Sequence, residues 1–116
     1  MWTPEETEIC REIAKRWRKE IVRGDWYVLG DTNHVFIHDH DRVVKDATWI
    51  SLLTIEDCLA ELERRGLRYG IYMFDPEDIR VEVYSNSDVL VELDKEKQTR
   101  LACLKALLSV LEGPDG

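Results

Sequence analysis

The segment 34–41 contains the side chains best suited to chemistry. It reads His-Val-Phe-Ile-His-Asp-His-Asp and holds all three histidines of the chain. Residues two apart on a β-strand share a face, so His34, His38 and His40 would project together. Imidazoles in this arrangement can share a divalent metal ion, with a further ligand from elsewhere. The alternative is that the valine and isoleucine between the histidines face the core and the other face is only solvated.

Two charged segments also have a functional and a structural interpretation. The acidic segment 75–78 could bind a hard cation or divide acid and base roles, but its Asp-Pro opening is typical of a solvated turn. The basic run 15–19 surrounds a tryptophan, as in proteins that bind nucleic acids. The chain has 16 basic and 24 acidic residues, a formal charge of −8, and this balance disfavours binding to phosphates.

Other catalytic signatures are missing from the sequence. Cys10, Cys58 and Cys103 are odd in number and more than forty residues apart, which argues against a disulfide framework and a cysteine-based zinc site. Each lies among apolar residues at helical spacing, so we expect three small core residues. Neither a glycine-rich phosphate loop nor a nucleophile elbow is present. We therefore expect no catalytic residue and a non-enzymatic protein.

Length and composition indicate a single globular domain. The chain has 116 residues, of which 44 % are hydrophobic, and we assign 1–112 to one domain and 113–116 to a flexible C-terminal tail. No apolar run approaches the roughly 18 residues of a membrane span. The N-terminal residues lack the basic flank and apolar core of a signal peptide. These features predict a cytoplasmic protein with no membrane partner.

A first helix begins with a clear signal. Thr3 is placed as N-cap, with a proline at the first helical position and a glutamate three residues after the cap. Apolar residues then recur four apart as far as Trp17 and Ile21. The pattern predicts a helix that ends at Gly24.

Two further helices follow the same logic. The second opens at Thr54 with an aspartate in a capping position, and Gly66 closes it. The third takes Asp94 as its cap and runs over 95–112, with a very wide apolar face of leucine and alanine. Such a face lies either in the centre of the core or in an interface.

Strand patterns lie between the helices. The predicted strands are 26–29, 35–37, 47–52, 67–74, 79–84 and 88–93. Short polar turns connect most of them, which favours antiparallel pairing. We therefore predict an α+β fold, in which an antiparallel meander sheet of five to six strands packs with three helices in the order α-β-β-(β)-α-β-β-β-α.

Three features of this pattern are shared with a known group. The first helix ends in a tryptophan, the segment 47–53 leads directly into a helix, and the segment 99–108 of the last helix is rich in alanine and leucine. In these respects the chain resembles small phage and prophage proteins of the phage ABA-sandwich type. The resemblance implies a helix/sheet/helix layering and a phage or prophage origin, and it carries no catalytic residue.

The leading functional expectation is a protein that acts through protein–protein contacts. The wide apolar face of the last helix and the four tryptophans are typical of interfaces, with a protein partner or a second copy in a homodimer. The acidic residues concentrate between the outer helices, which favours a basic protein partner. Two alternatives stay open: a divalent-metal protein using the three histidines, and an acidic DNA mimic that inhibits a nucleic-acid enzyme.

Overall fold

Three helices and six strands follow one another along the residues that the computed structural model describes, which are 2–30, 32–44 and 48–113. They are α1 (Pro4–Ala14), β1 (Trp26–Leu29), β2 (Val35–Ile37), β3 (Trp49–Leu52), α2 (Ile55–Arg64), β4 (Arg68–Asp75), β5 (Asp78–Ser85), β6 (Asp88–Glu96) and α3 (Thr99–Glu112). This order confirms the predicted α+β fold. Contacts between residues divide the chain into two compact units, Met1–Leu53 and Thr54–Gly116.

Helix α1 starts where the sequence predicts and ends earlier. The Thr3 hydroxyl accepts from the Glu6 N–H at 3.1 Å, and the Glu6 carboxylate accepts from the Thr3 N–H at 2.8 Å, which completes a capping box. The predicted end at Gly24 is wrong, because the helix stops at Ala14. Beyond it, Ile21 pairs with Val44 in an isolated antiparallel bridge.

That bridge explains the early end of the helix. The Ile21 side chain is 2 % exposed, and its backbone N–H and C=O both bond to Val44, at 3.2 and 2.9 Å. Long-range pairing therefore satisfies backbone groups that a longer helix would have bonded locally. Trp17 consequently lies outside the helix.

The first sheet has the strand order β2-β1-β3, so β1 lies in its centre. Both pairings are antiparallel. The inner face is formed by Val28, Ile50 and Leu52, which are at most 8 % exposed. Helix α1 packs against β3 and contributes the buried Ile13. The opposite face of this sheet, here called the aromatic face, carries Tyr27, Phe36 and Trp49.

In the second unit, α2 has the predicted cap. Thr54 and Asp57 form a capping box, and Gly66, at φ +78°, follows the helix in the left-handed region. Helix α3 begins at Thr99 rather than after Asp94. The predicted cap at Asp94 is wrong because β6 continues through Glu96, which pairs with β5.

The second sheet is the meander β4-β5-β6. On β5, Ile79, Val81 and Val83 are at most 2 % exposed and alternate with polar residues, as the period of two predicts. Helix α3 packs against β5 and β6, and α2 packs against α3 and β4. The polar residues of β5 lie on the opposite face, here called the acidic face.

The prediction of one continuous sheet of five to six strands is corrected to two sheets of three strands. Sequence alternation identifies strands but not their partners. Within the described residues, β1 pairs with β2 on one side and with β3 on the other, whereas β4 pairs with β5. Of the predicted C-terminal tail, 114–116 lie outside the described residues, as does the start of the predicted strand 47–52.

Two smaller expectations concern cysteines and the membrane. Among the described residues, Cys10, Cys58 and Cys103 form no disulfide and are at most 1 % exposed, which confirms their placement in the core. Burial, reinforced by the charge of Glu56, raises the pKa of the Cys103 thiol to about 11, so this thiol is a poor nucleophile. Among the described helices, none combines the length and apolar character needed to cross a bilayer.

Candidate functional site

The aromatic face of the first sheet carries a stack of three rings, one from each strand. Tyr27 of β1 stacks on Phe36 of β2 with ring centroids 5.5 Å apart and on Trp49 of β3 at 4.4 Å. The interplanar angles of 23° and 11° are those of stacked rings. The cross-strand pairing of Tyr27 with Phe36 places these two rings side by side. The stack is half-exposed and gives this face a rigid aromatic surface.

His38 is fixed beside this stack. Its side chain is buried at 3 % exposure, and its Nε2 donates to the backbone carbonyl of Arg42 at 2.6 Å. A carbonyl can only accept, so Nε2 carries the hydrogen of this bond, and Nδ1 is the one ring nitrogen that could act as an acceptor. The imidazole meets the rings of Tyr27 and Trp49 edge-on, with centroids 6.5 and 6.1 Å away.

The structure brings two of the three predicted histidines together. The rings of His38 and His40 lie 5.7 Å apart in an edge-on arrangement. His40 is exposed, and its Nε2 lies 3.4 Å from the carboxylate of Asp39. His34 is exposed and precedes β2, whereas the other two follow that strand.

The donor set is sparse for a metal ion. In the part of the chain that the structure describes, no group of three or more His, Cys, Asp or Glu side chains could hold one. The hydrogen bond to Arg42 also occupies Nε2 of His38. In that ring, only Nδ1 could then offer a lone pair to a metal ion. Metal binding by His34, His38 and His40 therefore stays a prediction.

A cavity opens next to the two paired histidines. Its volume is about 390 Å³, and it is lined by His38, His40, Arg42, Val44 and Trp49. The sequence singled out the histidines but not Trp49. The missing information was the register of β1 and β3, which pairs Trp49 with Leu29 and so places the indole diagonally against the Tyr27 ring, at the edge of the cavity.

The acidic face of the second sheet holds a different cluster. The Tyr84 hydroxyl donates to the Glu82 carboxylate at 2.5 Å, and the hydroxyls of Tyr84 and Tyr72 lie 3.3 Å apart. The hydrogen bond to Glu82, then that to Tyr72, raises the pKa of Tyr84 well above its usual value, so the phenol stays protonated. A Cβ on Gly70 would lie 2.6 Å from the Tyr72 hydroxyl, because the Tyr72 ring lies over this residue.

Like charges face each other on the same surface. Glu82 of β5 pairs directly with Glu92 of β6, and among the described residues neither has a cationic partner within 4 Å. Nearby, Arg80 is engaged twice, lying 3.5 Å from Asp94 and 5.6 Å from the centroid of the Phe74 ring. Two opposed carboxylates repel each other and disfavour the free surface.

The two other charged segments have structural roles in this geometry. The Asp75 carboxylate accepts from the Glu77 N–H at 2.8 Å, which closes the β4–β5 turn. In the basic run, Lys15 pairs with Glu12 at 2.6 Å and Lys19 with Asp25 at 2.5 Å. These contacts support the solvated-turn and mixed-charge interpretations of the two segments.

Comparison with protein-family models, with curated proteins and with solved structures finds no match for this chain. The functional proposals below therefore rest on the geometry of the two faces.

Proposed function

We propose that this protein is a non-enzymatic binding module that docks a basic segment of another protein on its acidic face. The observation that carries the proposal is the directly opposed pair Glu82 and Glu92, which lacks a cation among the described residues. A lysine or arginine of the partner placed between the two carboxylates would replace repulsion by two charge-assisted contacts.

The tyrosines beside the pair suit the same partner. Tyr72 is 43 % exposed, and its hydroxyl lies against that of Tyr84, which in turn is bonded to Glu82. Tyrosine rings attract cations over their faces, and tyrosine is among the residues that most often dominate binding energy at interfaces. A basic side chain on this surface would therefore meet carboxylates and aromatic rings together.

The charge of the second unit adds long-range attraction. Residues 54–116 contain fourteen acidic and eight basic residues, a formal charge of −6, whereas residues 1–53 carry −2. Between Arg68 and Glu96 there are eight acidic and three basic residues. Such a field accelerates encounter with a positively charged partner and weakens with added salt.

The remaining parts of the proposal rest on the sequence. A cytoplasmic location and a phage or prophage origin are consistent with a small acidic binding module. The DNA-mimic alternative is a special case of the same idea, in which the basic partner is the nucleic-acid-binding groove of an enzyme.

Binding of a labelled oligolysine peptide, followed by fluorescence anisotropy, tests the proposal. The variant Glu82→Gln/Glu92→Gln is compared with Glu5→Gln/Glu77→Gln, which loses the same charge from two other exposed positions. We expect the first variant to weaken binding about tenfold more than the second. Equal weakening by both variants would show that net charge alone attracts the peptide, and the proposed docking face would then be wrong.

A further inference from the structure

The cavity beside Trp49 has the size and lining of a small-molecule site. Its volume of about 390 Å³ falls within the range of roughly 300–1,000 Å³ that ligand pockets occupy. The described residues that line it contribute one indole, two imidazoles, a valine and an arginine. Such sites typically join an apolar surface to a few polar groups that orient the ligand.

The apolar wall is held rigidly. Trp49 is half-buried and lies on the Tyr27 ring at 4.4 Å, with an angle of only 11° between the two planes. Because Tyr27 is itself stacked on Phe36, the indole is supported across the whole sheet. A planar ligand entering the cavity would meet a preorganised ring and would lose little entropy to side-chain ordering.

The polar wall is held by His38. Its hydrogen bond to the Arg42 carbonyl spans residues 38–42, and its backbone also bonds to Gly24 and Asp25 at 2.7 and 2.9 Å. The exposed His40 and Arg42 therefore extend from a segment that is tied to the sheet.

The arginine of this wall, Arg42, has no acidic partner among the described residues. Within the described residues, Arg23 pairs with Asp41 at 2.9 Å and Lys19 with Asp25, whereas Arg42 has no carboxylate within 4 Å. A guanidinium at the rim of an aromatic cavity is suited to a carboxylate or phosphate, which it can bind through two parallel hydrogen bonds.

We propose that this cavity binds a small ligand with a planar ring and an anionic group. The ring lies against Trp49, and the carboxylate or phosphate faces Arg42, with His40 as an additional donor. This site uses residues of the first unit and is independent of the acidic face.

Titration calorimetry with two sets of probes tests the site and distinguishes the two anions. Adenosine 5′-monophosphate is compared with adenosine and with ribose 5-phosphate, and indole-3-carboxylate is compared with indole. In at least one set, we expect the probe that carries both ring and anion to bind about tenfold more tightly than each probe of that set that lacks one of them. The set that binds identifies phosphate or carboxylate as the preferred group.

Two variants then assign the contacts. Arg42→Gln alters an exposed side chain, and Arg23→Gln removes the same charge outside the cavity. We expect Arg42→Gln to weaken binding about tenfold and Arg23→Gln to leave it nearly unchanged. The indole N–H resonance of Trp49, assigned by its loss in Trp49→Phe, should shift on titration. Equal affinity for the probes with and without the anion, equal effects of the two arginine variants, or no saturable binding at about 5 mM would each overturn the proposal.

Discussion

Replacing Glu61 by glutamine will destabilise the second unit, because this carboxylate is buried and bonded to two cations. Glu61 lies on α2 and is 2 % exposed. It accepts hydrogen bonds from Arg64 Nε at 2.7 Å, from Arg64 Nη2 at 2.5 Å and from Arg65 Nε at 2.7 Å. The two arginine side chains are 64 % and 34 % exposed.

The exposure of the arginines limits the size of the effect. Each charge-assisted hydrogen bond contributes about 1.5–3 kcal/mol when both groups are removed from water. Here the guanidinium groups regain water when the carboxylate is lost, and the glutamine oxygen still accepts one bond. We therefore expect Glu61→Gln to lower the free energy of unfolding by about 2 kcal/mol rather than by the sum of three bonds.

The stabilisation that Glu61 provides should decrease as the pH falls. Burial opposes ionisation of Glu61, but the hydrogen bonds and charges of Arg64 and Arg65 outweigh it and lower the pKa of the carboxyl below its usual value. The unfolded chain then protonates first as the pH falls, so the stabilisation is full above the unfolded pKa of about 4.3 and is lost below it. The difference between wild type and variant should therefore shrink as the pH falls from about 4.3 towards the lowered pKa of the folded carboxyl.

Urea unfolding at pH 7 and at about pH 3, followed by far-ultraviolet circular dichroism, measures both quantities. Tryptophan fluorescence is less suitable, because all four tryptophans lie in residues 1–53. Glu63→Gln is the control, because Glu63 lies at an exposed position of the same helix and a glutamine there can still accept the 2.7 Å hydrogen bond from the Tyr69 hydroxyl. A loss no greater than that of the control, or one equally large at both pH values, would refute the buried ion cluster as a source of stability.

Four further predictions concern the caps, the core, the histidines and the oligomer. Thr54→Ala should lower the free energy of unfolding by about 1 kcal/mol, and Thr54→Ser should restore most of it, because the hydroxyl accepts from a backbone N–H at 3.1 Å; urea midpoints measure both. Leu104→Ala, at a side chain with 0 % exposure, should cost about 3 kcal/mol in the same assay. If His38 and His40 bind a divalent metal ion, the metal content after dialysis will fall in His38→Ala/His40→Ala, and unchanged content removes that alternative. A homodimer predicts concentration-dependent sedimentation, whereas a strict monomer over a wide range contradicts it.

Local signals predicted two of the three short strands of the first unit to the residue. The predicted segments 26–29 and 35–37 coincide with β1 and β2, because strong β-formers are bounded there by glycine, aspartate and asparagine. The sequence predicted the N-caps at Thr3 and Thr54 equally well. These features depend on interactions between neighbours in the sequence.

Long-range pairing explains the errors. The apolar residues Trp17 and Ile21 continue a helical period beyond Ala14, yet Ile21 is bonded to Val44 on a distant segment. Asp94 is a good cap, yet it belongs to a strand that pairs with β5. In both places tertiary structure overrides a local preference that is worth about 1 kcal/mol or less.

For the candidate sites, too, local sequence signals predicted some contacts, whereas others depended on long-range pairing. The sequence predicted that His38 and His40 lie near each other, but both follow β2, which ends at Ile37, so the strand alternation that was to place His34 beside them does not apply. The stack of Tyr27 on Trp49 and the opposition of Glu82 and Glu92 needed the cross-strand register. A single sequence specifies that register only through packing of the whole sheet.

A heteronuclear NMR titration of the labelled protein with oligolysine shows directly whether the acidic face docks basic segments. If the acidic face docks basic segments, the largest amide shifts will fall on β5 and β6 around Glu82 and Glu92, with smaller changes near Tyr72, and added salt will reverse them. Shifts spread evenly over both units, or confined to residues 2–53, would contradict the account.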